Sequence, residues 1–218
     1  MEAPEQVVEV PKQEQKKQDA KREFIDLIKL VVFFLLAFWV LKSFVIEGYE
    51  VQGESMAPTL EDRDRILVFK LPHELSRISL FSGIQAFDDE DIIVFRESNA
   101  KRLIKRVIAH NPQQNGNTVD AQHLKDEMRN PDVIKVEYDH GVVRINDWQI
   151  DESAYLSEEA KKNRDNNSVC MLHPGEYYVL GDNRPVSKDS RSFDAITDDQ
   201  IVGRAILRFW PLSRLKLL

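Results

Sequence analysis

A mostly β, antiparallel domain carried behind one N-terminal membrane-spanning helix is the fold class that this sequence predicts. Three observations lead there. Short runs rich in Val, Ile and Phe, at 65–69, 91–96, 103–109, 134–138, 142–146, 177–180 and 201–210, have the length and composition of strands. Helical periodicity is weak beyond residue 47, and 157–167 is the best stretch for a short surface helix. A single long apolar segment, 24–46, stands near the start of the chain.

The elements follow in order. Residues 1–23 are rich in Glu, Gln and Lys with few apolar side chains, so they cannot bury a core and are expected to be disordered or loosely helical. The strictly apolar part of the next segment, 30–41, is short enough for a cleavable leader, but bulky Phe44, Val45 and Ile46 follow it where a small-x-small cut would lie. Lys29 and Lys42 can snorkel, letting 24–46 span about 35 Å as a helix at ~1.5 Å per residue. Lys12, Lys16, Lys17, Lys21 and Arg22 precede the span, and Glu47, Glu50 and Glu54 follow it. The positive-inside rule then puts a charged tail (1–23) in the cytoplasm and a β-rich domain (47–218) on the outer face of the cell membrane, with the lipid bilayer as a partner.

Within that domain, Asp139-His140-Gly141 fits a hairpin turn between two strands. Residues 111–132 are polar, carry two Asn-Pro pairs and an Asn-Gly, and are expected to form a surface insertion. Residues 71–87 include Leu75, Ile78, Leu80, Phe81, Ile84 and Phe87, numerous for a loop, and suit either a flap over the core or a second contact with lipid. The chain of 218 residues is 42% hydrophobic and 31% charged, enough for one core and a satellite. A net charge of -7 argues against nucleic-acid binding, which needs clustered Lys and Arg. The lone Cys170 excludes an internal disulfide and a cysteine-zinc framework.

Chemistry points to the stretch Gly53-Glu54-Ser55-Met56-Ala57-Pro58-Thr59-Leu60. Gly53 lets the backbone bend and Pro58 keeps Ala57 out of a helix, which leaves Ser55 on a turn facing a cleft. A serine hydroxyl needs a base within hydrogen-bond reach to act as a nucleophile. None of the five histidines (His73, His110, His123, His140, His173) lies in a strand pattern beside an obvious carboxylate. Lys105 stands instead in a strand, with Leu103, Val107 and Ala109 expected on its face and Ile104, Arg106 and Ile108 on the other. Burial there disfavours the ammonium form, which is what a lysine base requires. Ser55 and Lys105 together make a candidate Ser/Lys dyad. A third polar stretch, Gly181-Asp182-Asn183-Arg184 through Ser187, Asp189 and Arg191, reads as a turn in which Asp189 and Arg191 can pair as a fork.

These stretches, taken in order behind an N-terminal apolar segment, resemble the type I signal peptidases (leader peptidases), over about residues 24–211. The motifs that carry the resemblance are Ser55-Met56-Ala57-Pro58-Thr59-Leu60, Asp91-Ile92-Ile93-Val94-Phe95, Lys105-Arg106-Val107-Ile108 and Gly181-Asp182-Asn183-Arg184. The resemblance implies an open antiparallel β fold, Ser55 as nucleophile and Lys105 as general base. It implies Ser187 as the hydroxyl that orients the lysine amine, and Asp182, Arg106, Asp189 and Arg191 as supporting ion pairs. Met56 and Pro58 belong to the serine motif, at the substrate side. The implied substrates are signal peptides of exported preproteins, cut after a small-x-small sequence with no metal or cofactor.

The chain departs from the family pattern at several positions. Gly53 replaces a serine that some members carry, while Glu90 and Asp194 stand where glycine is usual. Ala109-His110-Asn111-Pro112 replaces a Gly-x-Pro-Gly-Asp stretch. An inactive, membrane-anchored binding module of the same fold is the alternative reading. A self-cleaving repressor of the Ser/Lys type would need a DNA-binding domain in place of the apolar segment.

Overall fold

The computed structural model describes residues 12–40, 42, 45–70, 87–97, 101–112, 133–161 and 167–218. The chain divides into two compact units, Met1–Ser43 and Phe44–Leu218.

The first unit contains helix α1 (Lys12–Val40), so much of the polar tail is helical rather than irregular. Among the described residues no helix is long and apolar enough to cross a membrane. Asp26 and Lys29, paired at 2.8 Å, interrupt its apolar half. The uninterrupted apolar run, 30–40, would cover only about 16 Å at ~1.5 Å per residue, against a ~30 Å hydrocarbon core. The expected helical boundary at Ile46 is corrected: Ile46 opens strand β1 (Ile46–Glu50), whose backbone pairs with β2 (Arg65–Phe69).

The second unit is built from two antiparallel sheets. The larger runs β1-β2-β11-β3-β4-β9-β10, with β12 added to β11. Its further members are β3 (Ile92–Arg96), β4 (Arg102–Asn111), β9 (Glu176–Leu180), β10 (Ile196–Thr197), β11 (Ile201–Trp210) and β12 (Lys216–Leu217). The smaller sheet runs β7-β6-β5-β8, from β5 (Ile134–Asp139), β6 (Val142–Ile145), β7 (Trp148–Gln149) and β8 (Ser168–Leu172). Single-turn helices α2 (Glu158–Lys161) and α3 (Ser190–Phe193) lie between strands. The expected turn at Asp139-His140-Gly141 joins β5 to β6. Of the expected surface helix at 157–167, the described residues include only α2 and its flanks. The expected insertion is corrected at its start, since Asn111 is the buried last residue of β4, and from 113 to 132 it lies outside the described residues, as do 71–86 of the expected flap, whose last residue, Phe87, is buried in the core.

Apolar side chains sort by strand face. Ile92 and Val94 join Val51, Met56, Leu60, Ile66 and Val68 in one cluster, whereas Ile93 and Phe95 join Val107, Val179 and Ile201 in another. Strand β3 therefore buries both faces, which is why it reads as an unbroken apolar run. A third cluster joins Tyr178 and Leu180 of the large sheet to Val136, Tyr138 and Leu172 of the small one.

One face assignment is overturned. Val107 packs in the β3 cluster, but Ile108 and Ala109 both pack toward the small sheet. The register of β4 against β9 shifts between Val107 and Ala109, and such a bulge ends the simple alternation of faces.

Three departures noted above coincide with left-handed backbone. Gly53 has φ 85°, Glu90 φ 72°, and Asp194 φ 64° with ψ -157°. The last combination is accessible almost only to glycine, and a side chain there costs ~1–3 kcal/mol. Glycine also loses ~0.4–1 kcal/mol through the flexibility of its unfolded chain, so the net relief is about 1 kcal/mol. Asp194→Gly is therefore expected to raise the thermal midpoint by about 2–4 °C in calorimetry. An unchanged or lowered midpoint would show that the aspartate side chain compensates its own strain.

Candidate active site

Ser55 lies on the turn that follows β1. Val51 N–H donates to Asp64 O and Arg63 N–H to Val51 O, closing the loop at its base. Inside it, Ala57 N–H bonds Glu54 O at 3.1 Å and Leu60 N–H bonds Met56 O at 2.9 Å. Met56 and Leu60 drive into the core, 1% and 0% exposed, and fix the turn from below. Pro58 is exposed and follows a cis peptide bond.

Lys105 comes from the middle of β4, opposite Ile93 of β3. Its residue is 2% exposed, and its Nζ donates to Ser55 Oγ at 2.7 Å and to Ile104 O at 2.8 Å. Burial pushes the amine down from 10.5 to about 8, against the pull of Asp189 and Asp182. A hydroxyl held against an amine of lowered proton affinity has the arrangement that a nucleophile and its base require. Both side chains line a cleft of about 440 Å³, walled by residues 48–52 on one side and 101–105 on the other, with Met56 and Val94 also lining it.

The polar loop after β9 closes the site. Asn183 N–H donates to Ser55 O at 3.0 Å, and its side-chain amide donates to Glu54 O at 3.0 Å. Gly181 packs so tightly that a Cβ would stand 2.4 Å from Ser55 O and 2.2 Å from Ser187 Oγ. Arg106 forks onto Asp182 at 2.9 and 2.6 Å and donates to Glu90 O at 2.8 Å. Asp189 accepts from Gly181 N–H at 3.0 Å and from Arg191 through Nε and Nη2, both at 2.8 Å. The expected fork of Asp189 with Arg191 is thus present.

Ser187 is placed differently from expectation. Its Oγ is buried beside the dyad but has no hydrogen-bond partner, and it makes no bond to the Lys105 amine. The histidine reading also needs correction. His110 Nδ1 meets Asp89 Oδ1 at 2.7 Å, and His140 pairs with Asp139. The Ser55 hydroxyl is bonded to Lys105. Among the described residues no three His, Cys, Asp or Glu side chains converge on a metal position.

Sequence reasoning missed Glu152 and Tyr155. Glu152 is 2% exposed, pairs with the buried Arg184 guanidinium and accepts from Tyr155 Oη at 2.8 Å. A single Glu outside every motif carries no local mark of such a partner.

A buried amine against a serine hydroxyl in a β-sheet cleft is the arrangement that Ser/Lys variants of the catalytic triad share. The family model described as signal peptidase, peptidase S26, matches residues 24–128 and 131–210. Signal peptidase IB of Staphylococcus aureus is 31% identical over 181 residues, covering 76% of this chain and 78% of that protein. Signal peptidase I of Bacillus caldolyticus is 30% identical over 174 residues, covering 75% and 79%. A solved signal peptidase I from Enterococcus faecalis is 26% identical, covering 55% of this chain and 97% of that one, with a TM-score of 0.36. The chain belongs to the signal peptidase family, peptidase S26, and is a serine endopeptidase.

The contact at Gly181 gives a direct test. Misplacing a reacting group by about 1 Å costs on the order of 100-fold in rate. Gly181→Ala is expected to lose about that much in kcat while keeping its circular dichroism spectrum. A fully active Gly181→Ala enzyme would mean the loop can yield without moving the serine.

Proposed function

We propose that this chain is a membrane-anchored signal peptidase in which Ser55 is the nucleophile and Lys105 the general base. The observation that carries the reading is the 2.7 Å contact of Ser55 Oγ with an amine that is almost wholly buried. Neutral Lys105 takes the Ser55 proton as Oγ attacks the carbonyl carbon before the cut. The developing oxyanion is held by backbone N–H groups near Ser55, a role suited to a preorganised turn. The lysine ammonium returns its proton to the leaving amine, and an acyl-enzyme remains. Lys105 then deprotonates a water that releases the second product. Ser187 Oγ, buried and unpaired, is the hydroxyl available to orient the amine. Asp182, Arg106, Asp189 and Arg191 hold the loop around the pair.

The substrates on this reading are signal peptides of exported preproteins, with small residues at the first and third positions before the cut. An enlarged side chain in a pocket shaped for a methyl group forces strain. Purified enzyme in detergent should cut a preprotein with Ala at the first position and fail on the same preprotein with Phe. Ser55→Ala should abolish cleavage; equal cleavage of the Ala and Phe preproteins would overturn the assignment.

The pH dependence follows from the lysine. Its proton affinity is lowered in the folded protein, so the amine is charged and unproductive below about 8 and neutral above it. kcat/KM should therefore rise with pH through about 8. Lys105→Arg should be as inactive as Lys105→Met, because a guanidinium cannot accept the serine proton. A Lys105→Arg enzyme with near-normal turnover would remove lysine from the mechanism.

Anchoring is supported by α1, whose large apolar side chains from Phe24 to Trp39 are exposed. The Asp26–Lys29 pair offsets two charges within one turn, and a long lysine stem reaches an interface. The tail 1–23 then lies in the cytoplasm and the domain 47–218 outside. Protease added to intact spheroplasts should degrade the domain and spare the tail. Protection of the domain would reverse the orientation.

A further inference from the structure

Arg184 ends the Gly-Asp-Asn-Arg stretch, yet the Ser55–Lys105 chemistry gives it no task. Its guanidinium is inside the protein, 1% exposed, with Nε donating to Gly181 O at 3.0 Å. Its two terminal nitrogens meet both carboxylate oxygens of Glu152, which is 2% exposed. Glu152 also accepts from the Tyr155 hydroxyl at 2.8 Å, and the Tyr155 ring lies 4.1 Å from the Arg106 guanidinium carbon. Glu152 therefore reaches both arms of the site, one directly through Arg184 and the other by way of Tyr155. One arm is the 181–184 loop, which packs on Ser55; the other is Arg106, next to Lys105 on β4.

We propose that Glu152 is a positioning residue for the dyad, holding the 181–184 loop against Ser55 through Arg184 and keeping the charge around Lys105 balanced. The balance is visible in the buried groups. Asp182, Asp189 and Glu152 are matched by Arg106, Arg191 and Arg184 in three ion pairs. The charges that bear on Lys105 are Asp189, Asp182 and Glu97, which favour its ammonium form, and Lys101, which opposes it. Burial lowers the proton affinity of the amine against the pull of these carboxylates, so a change in the charge of the cluster moves its titration. Removing the Glu152 charge alone leaves the Arg184 cation unmatched in a medium that screens it poorly. A unit charge at ~10 Å and an effective dielectric of ~20 moves a neighbouring proton equilibrium by roughly one pH unit.

The sign separates this role from simple scaffolding. An unmatched cation makes the Lys105 ammonium harder to keep, so its titration moves to lower pH. A merely loosened site admits water, and the titration moves up toward that of a free lysine. Gly181 to Arg184 are not among the residues that line the cleft, so a change there reaches the substrate through Ser55 and Lys105 rather than by direct contact.

The test uses full-length enzyme with Glu152→Gln and the charge-neutral double variant Glu152→Gln/Arg184→Met. Breaking a buried pair at one end is more damaging than replacing both ends with apolar groups, so the double variant guards against loss of folding. Preprotein cleavage gives kcat and KM against pH. NMR of ¹³Cε-labelled lysine, assigned with Lys105→Met, follows the amine without requiring turnover. Glu152→Gln is expected to lower kcat about tenfold or more, leave KM within about twofold, and move both the acid limb and the Lys105 titration down by about half to one unit. The double variant should return the titration to the wild-type position while kcat stays low.

A wild-type kcat in the double variant, or in Glu152→Gln, would overturn the proposal. So would an upward shift of the titration, or a change confined to KM. The inference rests on the Ser55–Lys105 reading. That reading fails separately, if Lys105→Met still cleaves, whereas the amine titration reports on Glu152 in either case.

Discussion

Keeping one primary amine almost out of water, against a serine hydroxyl, is the constraint on which the rest of this structure depends. An ammonium in such a place is costly, and its proton affinity falls to about 8 from 10.5. The folded pKa lies below the unfolded one, so the folded state holds fewer protons between about 8 and 10.5, and stability rises with pH across that window. Below about 8 both states are protonated, and the folded protein carries the full cost of the buried charge, about 3 kcal/mol. That is a large share of the ~5–15 kcal/mol that holds a typical domain together. The amine stays buried because β4 is hydrogen-bonded on both sides, to β3 and β9, in the middle of the large sheet. A lysine on an edge strand could swing into water instead.

The ion pairs around the loop serve orientation more than stability. Taking a carboxylate and a guanidinium out of water costs about as much as their attraction returns, so such pairs are weak evidence for a stable fold. Their geometry is another matter. A guanidinium forks onto a carboxylate in one plane, and each fork here has a second attachment to the backbone. Arg106 also holds Glu90 O, Arg184 holds Gly181 O, and Arg191 holds Arg184 O. Every one of those carbonyls belongs to a segment flanking Ser55 or Lys105. An exposed pair such as Arg65 with Glu50, about half in solvent at each end, fixes nothing comparable.

Much of this was legible in the sequence where the cause is local. Strands Arg65–Phe69 and Ile201–Trp210 have the bounds that their β-branched and aromatic composition suggests. Lys105 announced itself as a charge inside an apolar strand, and Ser55 as a serine on a Gly- and Pro-bounded turn. What escaped depends on distant partners. The bulge between Val107 and Ala109 is a property of the pairing with β9, not of β4 alone. Strand β1 escaped because its first residue, Ile46, suits the apolar segment before it and the rest, Glu47 to Glu50, carries no strand composition. His110 meets Asp89 across 21 positions and Glu152 meets Arg184 across 32, separations at which no pattern of residue types survives.

The departures from the family pattern show what the site actually demands. Glu90 takes a left-handed backbone without being glycine, and the turn it makes is knitted to β4: its N–H donates to Val107 O, and Val107 N–H donates to Asp91 O. Its carbonyl then accepts from Arg106, the residue beside Lys105. A non-glycine residue in such a conformation costs on the order of 1 kcal/mol, spread over hydrogen bonds that would all be lost if the turn relaxed. The backbone geometry at residue 90 therefore aims one more acceptor at Arg106, beside its fork onto Asp182. The side chain that adopts it is secondary. A glycine pattern in a family can thus mark a required backbone shape, and a chain can keep the shape after losing the glycine.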